Sequence, residues 1–95
     1  MSQVTASCAR TDAGWRCDVE VRDGGSATRH SVTVSRAELE RFGGSGASPE
    51  ELVARSFEFL LAREPKESIL RAFELSVIER YFPDFPDAMR TEPEP

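Results

Sequence analysis

Two cysteines and one histidine are the residues of this chain whose types and placement come nearest to a chemical cluster. Cys8, Cys17 and His30 lie in segments where apolar and polar residues alternate, so the three side chains share one face of a predicted sheet. Such a set could offer three metal ligands, or a thiol activated by an imidazole. It lacks the paired short spacings of zinc motifs and an acid nearby in sequence to orient the imidazole. We therefore interpret it as a buried packing cluster, and predict no catalytic, cofactor-binding or metal-binding residue and no cofactor.

The redox state of the two cysteines depends on the compartment. The chain shows no charged and then apolar amino end, and no apolar run approaches the length of a membrane span. The predicted location is therefore the cytoplasm, without membrane association, where reduced thiols are favoured over a structural disulfide. A cross-strand disulfide between Cys8 and Cys17 remains the alternative if the two backbones approach closely there.

The formal charge of −5 over 95 residues is unevenly distributed. Residues 1–35 carry four Arg and four acidic residues, whereas residues 36–95 carry eight basic and thirteen acidic ones. Binding to phosphates relies on Lys and Arg, which release counterions. The charge therefore argues against a nucleic-acid partner.

Period-two patterns predict three strands, at about 4-9, 15-22 and 27-35. Gly24 and Gly25 predict a tight hairpin turn, because both accept positive φ. This turn predicts the pairs Trp15–Val34, Cys17–Val32 and Glu20–Arg29. A loop of Asp23-Gly24 would shift these partners by two residues and keep the faces.

The first strand is placed by a four-residue loop that ends at Gly14, with this glycine in the left-handed region. That loop puts Val4, Ala6 and Cys8 on the apolar face, whereas a three-residue loop would turn them outward. The expected partners are Val21 for Val4, Val19 for Ala6 and Cys17 for Cys8.

Helical periodicity and capping signals predict three or four helices, at about 36-42, 49-63, 66-73 and 76-82. Ser35, Ser48 and Ser76 each precede a Glu by three residues, which is the spacing of a capping box. The helix at 49-63 has a wide apolar arc and only a narrow polar strip, so it must be covered on several sides. A single helix over 66-82 remains the alternative to two short ones.

These elements predict one small α+β domain, residues 1-87, followed by a disordered, acidic, Pro-rich tail at 88-95. The three strands form an antiparallel meander, and the helices pack on one of its faces. Trp15, Val19, Val32 and Val34 are expected to lie against the helix at 49-63. Phe42, Phe73, Ile78 and Phe82 are expected to close it from other sides. Such a sheet leaves an edge strand exposed.

Two short segments resemble DNA-binding families. The polar-outward strand from Arg29 to Ser35, a capped helix and a second helix after Ser48 resemble a ribbon-helix-helix protein. The resemblance implies a dimer in which this strand pairs with its copy, with Arg29, Ser31 and Thr33 reading the major groove. The run from Ile69 to Ser76 is similar to the middle of a helix-turn-helix.

No specific biochemical function can be assigned from these residues. The leading hypothesis is a non-enzymatic protein–protein interaction or accessory module, which binds a protein partner or self-associates as a homodimer. The alternative is a small DNA-binding transcriptional regulator of the ribbon-helix-helix or helix-turn-helix kind. An exposed Phe57 or Phe59 would mark the partner surface.

Overall fold

The computed structural model describes residues 3–43, 46 and 48–90, and these form an α+β domain as predicted. The strands are β1 (Gln3–Arg10), β2 (Gly14–Asp23), β3 (Ser26–Ser35) and β4 (Ala72–Glu74). The helices are α1 (Arg36–Glu38), α2 (Pro49–Leu61), α3 (Val77–Tyr81) and α4 (Phe85–Arg90). The sheet order is β1-β2-β3-β4, antiparallel except for the parallel pair of β3 with β4.

The predicted register of the meander is confirmed at every pair. Cys8 lies opposite Cys17, Trp15 opposite Val34, and Glu20 opposite Arg29. Gly24 and Gly25 form the turn between β2 and β3, with φ of +62° and +85°, so the alternative Asp23-Gly24 loop is not used. Alternation of apolar and polar side chains fixes the faces, because a one-residue shift would turn the apolar set outward, and the Gly24-Gly25 turn then fixes the partners of β2 and β3.

Gly14 ends the turn before β2, and it also lies too close to the neighbouring strand for any side chain. Its φ is +157°, and a Cβ built on it would overlap the backbone carbonyl oxygen of Val34 on the neighbouring strand. Its amide donates to the Thr11 hydroxyl over 3.1 Å. Only glycine permits this close approach of β2 to the end of β3.

Two of the three predicted capping boxes are present in whole or in part. Ser35 accepts from the amide of Glu38, whose carboxylate accepts from the Ser35 amide. Helix α1 continues as a π-helical turn, Leu39–Gly43, so the helical stretch matches the predicted 36-42. Ser48 accepts from the Glu51 amide, and Pro49 occupies the first turn of α2.

The predicted helix at 66-73 is wrong. Lys66–Ser68 form a single 3₁₀ turn, and Ala72–Glu74 form the parallel strand β4. The Ser31 amide donates to the Arg71 carbonyl, and the Leu75 amide donates to the Thr33 carbonyl. These bonds satisfy the outer edge of β3, which a three-stranded sheet would have left open, and that long-range pairing outweighs the helical spacing of the apolar residues.

The carboxyl-terminal part differs from the prediction at the Ser76 helix cap and in its last helix. Ser76 caps no amide with its side chain; its own amide donates instead to the Glu38 carboxylate over 3.0 Å. Helix α4 was not predicted. Met89 is buried, and the Arg55 guanidinium group on α2 donates to the Met89 carbonyl oxygen over 2.6 Å. Helix α4 thus extends past residue 87, where the predicted domain ends, to Arg90, while residues 91–95 of the predicted tail lie outside the described residues.

The core lies between the sheet and α2. Its larger side chains come from the π-helical turn, from α2 and from the segments after it. The fully buried ones include Val19, Val32, Val34, Phe42, Leu52, Val53, Phe57, Leu75 and Phe85. Trp15, Phe73 and Phe82 pack at its margin and are partly buried.

Candidate functional site

The two cysteines form a disulfide. Cys8 and Cys17 lie directly opposite each other on β1 and β2, with their Cα atoms 3.9 Å apart. This corrects the preference for reduced thiols, because the close approach named as the condition for a disulfide is met. Disulfides are more typical of oxidising compartments than of the cytosol. The cytoplasmic location therefore stays a prediction.

His30 is a buried link between β3 and the segment before β4. Its Nδ1 donates to the Leu70 carbonyl oxygen over 2.7 Å, and its Nε2 lies 2.8 Å from the Thr28 hydroxyl. The ring contacts Phe57 at a centroid distance of 5.2 Å. Both ring nitrogens therefore have protein partners, which gives His30 the predicted packing role. Among residues 3–43, 46 and 48–90, no three His, Cys, Asp or Glu side chains are grouped to hold a metal ion.

Neither DNA-binding resemblance extends to the three-dimensional structure. Strand β3 is hydrogen-bonded to β2 on one side and to β4 on the other, so it cannot pair with its copy as a ribbon-helix-helix strand does. The run from Ile69 to Ser76 contains a strand where a helix-turn-helix requires helix. Arg29 and Thr33 do face solvent from the outer sheet face, but without that dimer they form no groove-reading ribbon.

Phe57 and Phe59 are both buried, so the condition under which they would mark a partner surface is not met. The large hydrophobic residues that the described structure does expose are Leu70, at 47%, and Tyr81, at 67%. They flank a groove of about 330 Å³ between the end of α2, β4 and α3. Phe73, Val77 and Phe82 line its floor and Glu64 its polar side. The sequence did not predict this groove, because the segment that contains Leu70 and Phe73 was predicted as a helix at 66-73.

Strand β1 is the second exposed feature, and it is a long edge. Among the described residues it is hydrogen-bonded to β2 alone, because it stands last in the sheet order. Natural sheets usually protect such an edge with charges, proline, bulges or a short strand. From Gln3 to Ala9, β1 has no charged residue and no proline, and it pairs with β2 without a bulge.

The backbone of β1 directs hydrogen-bonding groups to its open side at alternate residues. In an antiparallel pair, residues that do not exchange hydrogen bonds lie closer together, about 4.5 Å between Cα atoms against about 5.5 Å. Cys8 and Cys17, at 3.9 Å, are therefore such a pair. It follows that Cys8, and by alternation Ala6 and Val4, point their N–H and C=O groups away from β2.

The opposite side of the sheet gives the same assignment independently. Ser31 and Thr33 use their backbone groups for bonds to the β4 segment. By alternation, Val32 and His30 bond to β2, at Cys17 and Val19. Cys17 and Val19 therefore have no backbone N–H or C=O group left to bond to β1. Their β1 partners, Cys8 and Ala6, must direct theirs to the open edge.

The outer face of the sheet is polar and carries both signs of charge. Thr5, Asp18, Arg29 and Arg71 surround a shallow depression there. An ion pair joins Arg22 to Glu20 at 2.9 Å on the same face. Because both signs of charge are mixed across it, this face offers no concentrated field for an anion or a cation.

None of the described helices has both the length and the apolar character needed to cross a membrane. No family model, curated protein or solved structure matches the chain.

Proposed function

We propose that the protein is a non-enzymatic interaction module that binds an extended protein segment by adding it as a strand beside β1. The observation that carries this proposal is the open edge of β1, where Val4, Ala6 and Cys8 direct backbone groups away from β2, over an uncharged stretch, and no other described strand pairs with them. Backbone hydrogen bonds supply affinity in strand addition, and the alternating side chains supply selectivity.

The side chains of β1 suit a neighbouring strand. Gln3, Thr5, Ser7 and Ala9 are exposed on the outer face, while Val4, Ala6 and Cys8 are only half-buried on the inner face. An added strand would cover the apolar remainder of these inner side chains. The partner is therefore a segment that alternates small apolar and polar uncharged residues, since charges would lie beside a partly apolar surface.

Proline substitution at an outward-pointing residue tests the edge and leaves the hydrogen bonds between β1 and β2 in place. Ala6→Pro removes an N–H that points to the open side, so it blocks strand addition and costs no bond to β2. Binding is measured by fluorescence anisotropy of a labelled peptide with alternating Thr and Val and a Lys at each end. At protein concentrations low enough for single chains to predominate, the unmodified protein is expected to bind it, and Ala6→Pro to lose most of that binding.

The matched control is Tyr81→Ser, which removes the large exposed side chain of the groove and leaves β1 unchanged. It is expected to bind the peptide like the unmodified protein. Loss of binding in Tyr81→Ser with retention in Ala6→Pro would assign the peptide to the groove and overturn the proposal. Absence of peptide binding to the unmodified protein in its monomeric form would also overturn it.

A further inference from the structure

We infer that the strand added to β1 is β1 of a second copy, so that the chain forms a two-fold dimer with a continuous sheet. This inference rests on the proposed function, because it names the occupant of the same edge. The hydrogen-bonding direction restricts the symmetric arrangements. A two-fold axis normal to the sheet places one residue of β1 opposite its own copy, and Ala6 is the middle of the uncharged stretch Gln3–Ala9.

An axis at Ala6 pairs each copy with the other over most of the strand. Ala6 lies opposite Ala6 of the second copy, and Val4 lies opposite Cys8, so each of these pairs exchanges two backbone hydrogen bonds. Thr5 lies opposite Ser7 in the pairs between them. The interface is isologous: Val4 of one copy contacts Cys8 of the other, and Cys8 of the first copy contacts Val4 of the second.

Both faces of this pair are self-complementary. On the inner face, Val4, Ala6 and Cys8 are small apolar side chains that are half-exposed in the single chain. They would cover one another across the axis. On the outer face the hydroxyls of Thr5 and Ser7 meet, and cross-strand Thr–Ser pairs hydrogen-bond favourably. A partner strand of different sequence would have to match both faces, whereas a second copy does so by symmetry.

The distribution of charge also favours a second copy at this edge. The excess of acidic residues lies in residues 36–95, whereas residues 1–35 carry equal numbers of Arg and acidic residues. Edge-to-edge pairing brings the balanced parts together. It places no charged side chain of Gln3–Ala9 opposite another, so like-charge repulsion does not oppose the contact.

Cysteine cross-linking tests both the dimer and its register. Thr5→Cys and Ser7→Cys are made as separate variants that keep the native cysteines, mixed, and oxidised with copper phenanthroline. Positions 5 and 7 form a closely spaced pair across the axis, so the mixture is expected to give a covalent dimer. Each variant alone is expected to give several-fold less, because its own copies lie two residues out of register. Peptide mapping by mass spectrometry identifies the bond between positions 5 and 7.

Two matched variants control the experiment. Thr33→Cys is exposed on the same outer face but lies on the internal strand β3, so it should not cross-link with either variant. Adding Ala6→Pro to both partners should abolish the link in the mixture and give the mass of a single chain by light scattering. Cross-linking of either single variant as efficient as that of the mixture would overturn the register.

The failure of this inference can be told apart from the failure of the proposed function. If the unmodified protein is monomeric at tens of micromolar and binds the Thr/Val peptide, self-pairing is overturned and strand addition stands. If it is monomeric and binds no peptide, both are overturned. If it is dimeric and Ala6→Pro leaves the dimer intact while Tyr81→Ser dissociates it, the interface is the groove and the inference is wrong.

Discussion

The imidazole Nδ1 of His30 donates a hydrogen bond to the backbone carbonyl oxygen of Leu70, forty residues away, over 2.7 Å. This bond joins β3 to the segment that leads into β4, immediately beside the pairing of Ser31 with Arg71. A carbonyl oxygen only accepts, so the ring is protonated on Nδ1, and in the neutral form Nε2 accepts from the Thr28 hydroxyl.

His30→Phe is expected to keep the ring contact with Phe57 and lose both hydrogen bonds. The free energy of unfolding should fall by about 1–2 kcal/mol, as measured by urea denaturation. In native-state hydrogen exchange, protection should fall first at the Ser31 and Leu75 amides, whose hydrogen bonds pair β3 with the β4 segment. Thr28→Val, which removes one partner of the imidazole and leaves the bond to Leu70, is the control and should cost less. Equal stability of His30→Phe and the unmodified protein would show that the link contributes nothing.

The Cys8–Cys17 disulfide closes a short loop, with a sequence separation of nine residues. A dithiol reductant is therefore expected to lower the free energy of unfolding by about 2.5 kcal/mol, the loss predicted from loop-closure entropy. The double variant Cys8→Ala, Cys17→Ala should be insensitive to the reductant. Two titratable thiols in the native, unreduced protein would contradict the bond.

Gly14→Ala is expected to destabilise the protein much more than Gly24→Ala. Both glycines have positive φ, so either substitution carries the backbone cost of roughly 1–2 kcal/mol. An added Cβ at Gly24 meets open space, whereas at Gly14 it overlaps backbone of Val34 and Ser35, which cannot yield without breaking the β2–β3 pairing. Thermal denaturation of the two variants compares them directly. Similar melting temperatures would contradict the close approach at Gly14.

Proline at successive positions of β1 tests the direction of its backbone groups. Ser7→Pro removes an N–H that bonds to β2, and should cost about 1–3 kcal/mol of stability. Ala6→Pro removes an outward N–H and should cost clearly less in a monomeric preparation. Circular dichroism during urea denaturation measures both. The reverse order would show that the assignment of the open side is wrong.

The pKa of Glu67 lies below its usual value of 4.5, chiefly because its carboxylate accepts a hydrogen bond from the Lys66 ammonium group at 2.8 Å. A group whose pKa is lowered by folding stabilises the folded state above its unfolded pKa, and the contribution is lost as pH falls through the lowered value. An NMR titration of the Glu67 carboxyl carbon should therefore have its midpoint below pH 4.5. Lys66→Met should move that midpoint upward; an unchanged midpoint would contradict the pairing.

The sequence by itself determined the meander, both of its registers and the central helix. These features depend on local signals: the alternation that separates two faces, the paired glycines at 24 and 25, and a serine and a proline at the start of α2. Each works within a few residues, so no knowledge of distant contacts was needed to place Cys8 opposite Cys17.

The conformation of the segment from Lys66 to Arg90 was decided only by the tertiary structure. Ile69 and Phe73 have helical spacing, yet the hydrogen bonds that make β4 come from β3, some forty residues earlier. Met89 likewise joins the core through α2, where Ser56 and Arg55 contact it. The disulfide also required three dimensions, because opposite positions in a register do not state how closely two backbones approach. Such contacts depend on chain segments that meet only after folding, and a local pattern carries no record of them.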